Sequence, residues 1–368
     1  MDSHDSHDSQ GHNILICGTG DFAARIAFDI AATATTPTVV VVAGRNQERA
    51  AWIRTAASAR AAIFGTPTAV EVQLLDFEDA DAVEQTLDEV QPRVVMQCAS
   101  RGRLSPGPQS RWGEMVGTAG LSLTSIFQAR LSALVSKAIQ THAPDTYFVN
   151  GCYPDVANSL IASLGLRVDC GIGNVAILAN AFLGLLGEPR QTIQVLAQHR
   201  NVGLYRVPPS QRSADSVHPR VWINGDELDD VAQRFSSVQL TPEPVMDISG
   251  ASGVPLLQAM VKQRPWRGHV PGPGGLPGGY PVSFDGKLLS LDLPVGIDES
   301  EAISWNAAFE LESGVVVDGE HVRYTGKVRD VLRQVSPDLA SGFVVSDFEA
   351  AHDEMSALRA RMEALPAN

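Results

Sequence analysis

The stretch that most constrains this chain is Asn13 to Ala27, NILICGTGDFAARIA. Ile14 to Cys17 form a short apolar run of the kind buried in a strand, Gly18-Thr19-Gly20 turn the chain, and Ala23 to Ile30 read as a helix. This is the G-x-G-x-x-G/A pattern with Ala23 in third place. Gly18 permits a tight turn, Gly20 lets backbone approach a pyrophosphate, and Ala23 lets the helix pack close to the strand. The uncapped N–H groups opening such a helix attract phosphate. The pattern predicts a dinucleotide-binding domain in which Gly18, Thr19, Gly20, Asp21 and Phe22 face the ligand.

The elements that follow extend the prediction. Thr38 to Val42 is a β-branched run suited to a strand buried on both faces. After it come Gly44, Arg45, Asn46 and Arg49, with no acid at the position that reads the ribose hydroxyls of NAD. A guanidinium there suits a 2′-phosphate, so NADP(H) is favoured over NAD(H). Helices are expected over Ala50–Ala62 and Asp79–Val90, and strands over Val70–Leu75, Arg93–Ala99 and Thr146–Asn150, with a long helix over Leu121–Thr141. Asp76 ends the third strand near the adenine, and Cys98, Ala99 and Ser100 end the fourth near the nicotinamide. The alternation predicts an α/β fold: a doubly wound parallel Rossmann sheet over residues 13–175.

Past about residue 185 the pattern changes. Thr192–Ala197 alternates and ends in Gln198-His199-Arg200, and Val221-Trp222-Ile223 leads to a turn at Asn224-Gly225. A helix is expected around Val254–Lys262. The run HVPGPGGLPGGYP is too rich in Gly and Pro for a regular element, and Val282–Leu293 reads as a hairpin turning at Asp285-Gly286. Ser300–Glu312 reads as a helix. A mixed α+β domain over 176–345 is followed by a C-terminal helix in 346–368. Phe348, His352, Met355, Arg359 and Met362 mark one face of that helix, more for packing on the chain's own body than on a partner.

Composition narrows the partners. The 368 residues carry a net charge of −14, which disfavours nucleic acid and membrane surfaces, and no apolar run approaches a membrane span. The first 12 residues, MDSHDSHDSQGH, read as a disordered polar tail rather than a signal peptide, with at most weak metal chelation by His4, His7 and His12. The four cysteines lack C-x-x-C spacing, as in a reduced, cytoplasmic protein. His218, His269 and His352 have no companions at ligand spacing, so no metal site is assigned. Neither a Gly-x-Ser-x-Gly elbow nor a phosphate loop ending GK[ST] is present.

Five landmarks together resemble the lactate/malate dehydrogenase superfamily over roughly residues 13 to 310. They are the glycine fingerprint; SRGRLSPGPQSRW, like that family's mobile substrate loop; HAPDTYFVNGCYPD, like its strand ending in Asn-Pro-x-Asp; GIGNVAILANAF, in place of its Asp- and Arg-bearing segment; and LAQHRN, like the strand carrying its catalytic His. YPVSFDGKLLSLDLPVGI and the helix after it resemble its later hairpin and helix. The resemblance implies a substrate-binding role for Arg103 and Arg111, which fall near the family's two loop arginines with one extra residue between them, and a proton-donor role for His199.

The departures are informative. Tyr153 stands where the Asn before Pro should be, with Asn150 three residues upstream, and becomes a second candidate proton donor. The family's Asp partner of the His falls at Ala176 or a neighbour, and its carboxylate-clamping Arg at Ala179. The His is therefore expected to lack its usual carboxylate, with Asn174 orienting the ring or a partner coming from elsewhere. Asn150, Asn174 and Arg200, the last beside His199, are candidate substrate contacts. AGRNQER and LLDFEDADAVEQTL also resemble saccharopine- and opine-dehydrogenase reductases. The expected activity is hydride transfer with NADP(H) at a carbonyl or imine carbon of a small metabolite, not a simple 2-hydroxy acid. An opine/saccharopine-type imine reductase and a non-catalytic NADP(H) sensor are the alternatives. A homodimer is expected from the resemblance and the C-terminal helix stripe.

Overall fold

The computed structural model describes residues 13–102, 109–187, 191–213, 215–240 and 245–367. The N-terminal tail with His4, His7 and His12 lies outside them, as does Arg103. The first half alternates β1 (Asn13–Cys17), α1 (Asp21–Thr33), β2 (Thr38–Gly44), α2 (Gln47–Phe64), β3 (Thr68–Leu74), α3 (Ala80–Val90) and β4 (Val94–Gln97). It continues with α4 (Arg111–Ala119), α5 (Ser125–His142), β5 (Tyr147–Asn150), α6 (Pro154–Ser163), β6 (Cys170–Gly171) and α7 (Val175–Leu186).

The six strands form one parallel sheet in the order β3-β2-β1-β4-β5-β6, the doubly wound order that reverses between β1 and β4. Alternation along each strand splits the core in two. Ile14, Ile16, Val40, Val42, Val94 and Met96 face α1 and a later helix, and Leu15, Cys17, Val41, Val95 and Phe148 face α3 and α5. The expected long helix over Leu121–Thr141 begins as a 3₁₀ turn at Leu121–Thr124 before α5. The stretch that resembles a substrate loop, Ser100–Trp112, runs into α4, a helix not read from the sequence, whose N-cap Ser110 accepts from Gly113 N–H.

The second half holds β7 (Ile193–Leu196), α8 (His199–Tyr205), β8 (Arg220–Ile223), β9 (Asp226–Glu227), α9 (Val231–Arg234), α10 (Met246–Lys262), β10 (Trp266–Pro271), β11 (Gly279–Phe284), β12 (Leu289–Leu291) and α11 (Glu299–Ser313). The Gly/Pro run, expected to exclude regular structure, instead joins two antiparallel strands, with Val270 opposite Tyr280 and Pro271 opposite Gly279. Pro271 closes β10 at a strand end, where proline is tolerated, whereas Pro281 sits inside β11 opposite His269. The bridge Ala197↔Gly279 ties this sheet to β7.

The chain ends in a layer of which periodicity revealed only the last helix: β13 (Val315–Asp318), β14 (His321–Tyr324), α12 (Gly326–Val335), α13 (Pro337–Ala340), β15 (Phe343–Val344) and the expected α14 (Phe348–Glu363). Its side chains share one apolar cluster with Trp112, Met115 and Val116 of α4, Phe127 of α5 and Tyr153. The stripe on α14 packs into this cluster, with Met355 fully buried, so that face is turned to the chain's own body. No helix among the described residues is long and apolar enough to cross a membrane.

Candidate active site

The carboxyl ends of β1, β2, β3 and β4 open on a cavity of about 710 Å³. Ten of the candidate cofactor residues line it: Gly18, Thr19, Gly20, Gly44, Arg45, Asn46, Asp76, Cys98, Ala99 and Ser100. Gly18 has a φ of 134°, and a Cβ there would lie 3.1 Å from the Ala99 nitrogen. A Cβ on Gly44 would come within 2.9 Å of Thr19 Cγ2. These two glycines therefore let the turn after β1 seat between its neighbours. Gly20 caps α1 with no side-chain acceptor, and space for a Cβ there is open. The free N–H groups of α1 and the room above them suit the diphosphate of a dinucleotide.

The other three candidates have different tasks. Arg49 donates through Nε to Thr19 O at 3.2 Å and pairs with Asp21, so both side chains brace the glycine turn from outside the cavity. Phe22 lies over Gly151, where a Cβ would meet its Cε1 at 2.7 Å. Arg45 is mostly exposed and stands 3.9 Å from Asp76, while the Asn46 side chain accepts from Arg49 N–H and caps α2. The cavity also holds residues that pattern reading passed over, among them Glu78, Arg101 and Leu131.

A second polar cluster begins one strand over, at the end of β5. Tyr153 caps α6 with a left-handed φ of 50°, and its Oη lies 2.8 Å from Ser122 Oγ and 2.9 Å from His199 Nε2. Burial pushes the phenol well above its ordinary value, although the Ser122 bond acts against this. His199 is the first residue of α8, directly after β7, in a turn set by a capping box between Gln198 and Asn201.

Of the two expectations for His199, Asn174 orienting the ring is corrected, and the carboxylate does come from elsewhere. Asp155, on the first turn of α6, is buried, accepts from the His199 backbone N–H at 2.5 Å and stands 3.5 Å from its Nδ1. That ring contact is an ion-pair distance rather than a hydrogen bond, and Nδ1 has no hydrogen-bond partner. Asn174 does not orient the ring; its Nδ2 donates to the other Asp155 oxygen at 2.8 Å. The carboxylate that the resemblance places on α7, where Ala176 stands, comes instead from α6. Two donors make its burial tolerable.

The remaining candidates disperse. Asn150 is fully buried, its amide engaged by Ser132, Cys152 and Asn158. Arg111 opens α4 and pairs with Glu114 at 2.7 Å. His199 and Arg200 line a cavity of about 490 Å³ with Ser122 and the far end of α4, Gly117–Ala119. Arg111 thus lies about two turns along α4 from this cavity. Arg200 faces Glu312, Nη2 to Oε2 at 3.0 Å. Among the described residues no cluster of His, Cys, Asp and Glu could hold a metal ion.

No family model and no curated protein matches the chain in sequence. Solved structures do match it in shape. The malate dehydrogenase of Cryptosporidium parvum superposes with a TM-score of 0.51 at 13% identity, covering 82% of this chain and 98% of its own. The lactate dehydrogenase of Eimeria maxima, solved with NADH and oxamate, gives 0.53 at 13% identity, covering 83% and 95%. The malate dehydrogenase of Picrophilus torridus gives 0.51 at 12% identity, covering 94% and 99%. With its six-stranded parallel sheet and smaller second-half sheets, the chain has the lactate/malate dehydrogenase fold.

Proposed function

We propose that this chain is an NADP(H)-dependent oxidoreductase that moves hydride to or from a carbonyl or imine carbon of a small metabolite. The observation that carries the reading is the chain Ser122–Tyr153–His199 backed by Asp155, at the carboxyl end of the strand next to β4. The nicotinamide supplies or accepts the hydride; NADH is bound by the Eimeria enzyme of the same fold.

The chain's own groups handle the proton. The Tyr153 phenol, held neutral by burial, gives its proton to the substrate oxygen or nitrogen as His199 Nε2 returns one to it. Proton departure and arrival are thus coupled, and no free buried phenolate forms. Asp155 holds the His199 backbone and stands close enough to Nδ1 to balance an imidazolium. Preference for the 2′-phosphate rests on Arg45 alone, because Arg49 is tied to the glycine turn. Ala179 in place of a clamping arginine disfavours a simple 2-hydroxy acid.

Fluorescence titration with NADPH and NADH, followed by a screen of aldehydes, ketones and ketone–amine mixtures, tests the reading. NADPH should bind more tightly than NADH, and Arg45→Ala should erase the difference. Tyr153→Phe should bind NADPH as the parent does, yet turn over about a hundredfold or more slowly. Binding of neither nucleotide overturns the assignment.

A further inference from the structure

The nucleotide cavity is crossed by an ion pair. Arg101, just beyond β4, and Glu78, just beyond β3, both line it. Arg101 Nε donates to Glu78 Oε1 at 2.6 Å, and Nη2 donates to Oε2, a bidentate pair. Each side chain keeps about a third of its surface exposed, 38% and 31%, so the pair is reachable by a ligand.

The backbone beneath Arg101 is held at two points. Its N–H donates to Phe127 O at 3.2 Å, and its carbonyl accepts from Arg359 Nη1 of α14 at 3.0 Å. The Arg359 guanidinium also lies over the Phe127 ring, 4.3 Å from its centre. The main chain is therefore anchored while the guanidinium reaches across the cleft. Glu78 sits on a turn in which its own N–H donates to Asp76 Oδ1.

A carboxylate is a poor wall for a cavity whose floor is an uncapped helix N-terminus suited to phosphate. Among the described residues, Arg101 is the guanidinium that pairs with it and neutralises it. A planar guanidinium binds carboxylate and phosphate with the same two-pronged geometry, so an incoming diphosphate competes with Glu78 for the same donors.

We propose that the Arg101–Glu78 pair is an autoinhibitory clasp across the nucleotide cleft, opened when Arg101 exchanges the Glu78 carboxylate for the diphosphate of the bound nucleotide. The inference rests on the function proposed above and adds a contact that weakens nucleotide binding. α14 belongs to the device, because Arg359 fixes the point from which Arg101 swings.

The test is isothermal titration of the full-length protein with ADP, whose diphosphate needs no nicotinamide site and no turnover. Glu78→Gln keeps the side chain's size and removes its charge; it should tighten ADP binding about threefold. Arg101→Ala should weaken it about tenfold. In the Arg101→Ala background, where Glu78 is an unpaired charge, Glu78→Gln should give a smaller gain, that of removing simple repulsion. Thermal melts check that each variant is folded.

If the parent binds ADP and Glu78→Gln leaves the affinity unchanged, the clasp is overturned and the function stands. An equal or larger gain from Glu78→Gln without Arg101 also overturns it, leaving plain repulsion by Glu78. If no form binds ADP, NADPH or NADH, the proposed function falls and the clasp with it.

Discussion

At the scale of single residues, buried polar groups in this molecule act through their neighbours. Tyr153 and Asp155 at the start of α6, His199 at the start of α8 and Asn174 before α7 come from three separate places in the chain and form one hydrogen-bonded and ion-paired series. Glu310 of α11 belongs to the same electrostatic neighbourhood. It is buried, and burial together with the Asp155 charge pushes its carboxyl up from 4.5 to about 7. The folded chain therefore binds more protons at this site than the unfolded chain between those two values. The stability this gives is complete below the unfolded value and is lost as pH rises toward the folded one. Glu310→Gln removes that loss. Relative to the parent, it should gain roughly 1–3 kcal/mol between about pH 5 and about pH 8, read by urea unfolding at both. An identical difference at the two pH values would sink the assignment.

At the scale of elements, most of the Rossmann half was legible in the chain. The β-branched run after Pro37 is β2, the alternation near Thr192 is β7, and the Asp285-Gly286 turn joins β11 to β12. What escaped reading has physical causes. The strand β10 and the first residues of β11 were hidden by glycine and proline, which carry no periodic signal, although Gly279 fits a close approach to the Ala197 carbonyl. The final layer was hidden because its strands are two to four residues long and get their stability from packing rather than propensity. Met355 measures that dependence. It is fully buried among side chains of α4, α5 and the final layer. Met355→Ala should cost about 2–4 kcal/mol in chemical denaturation. A cost below about 1 kcal/mol would mean α14 is only loosely docked.

At the scale of the whole molecule, the homodimer expected from the sequence needs a face other than the α14 stripe, which the chain covers itself. The outer side of α2 offers one: Trp52, Ile63 and Phe64 are 55%, 75% and 57% exposed. Trp52 lies about three turns from Ile63 and Phe64 along α2, and large exposed apolar side chains favour burial against a partner. A homodimer through α2 is proposed on that basis. Light scattering coupled to gel filtration should give twice the chain mass for the parent and the single-chain mass for Ile63→Glu/Phe64→Glu. A monomeric parent would reject it.

The sequence by itself determined the glycine turn, the parallel sheet and the grouping of ten candidate residues around one cavity. Each depends on local patterns: a turn that needs glycine, runs that need burial, and strand ends that a doubly wound sheet brings to one edge. It also marked Tyr153 and His199 as a pair of proton donors without bringing them into contact. Only the tertiary structure decided that Asp155 stands behind His199, that Arg49 serves the turn rather than the cavity, and that Glu78 holds Arg101. Those contacts join residues 44, 28 and 23 positions apart. No periodicity encodes such pairings, because they depend on where separate elements are seated, and the packing of the sheet, α6, α8 and α14 sets that.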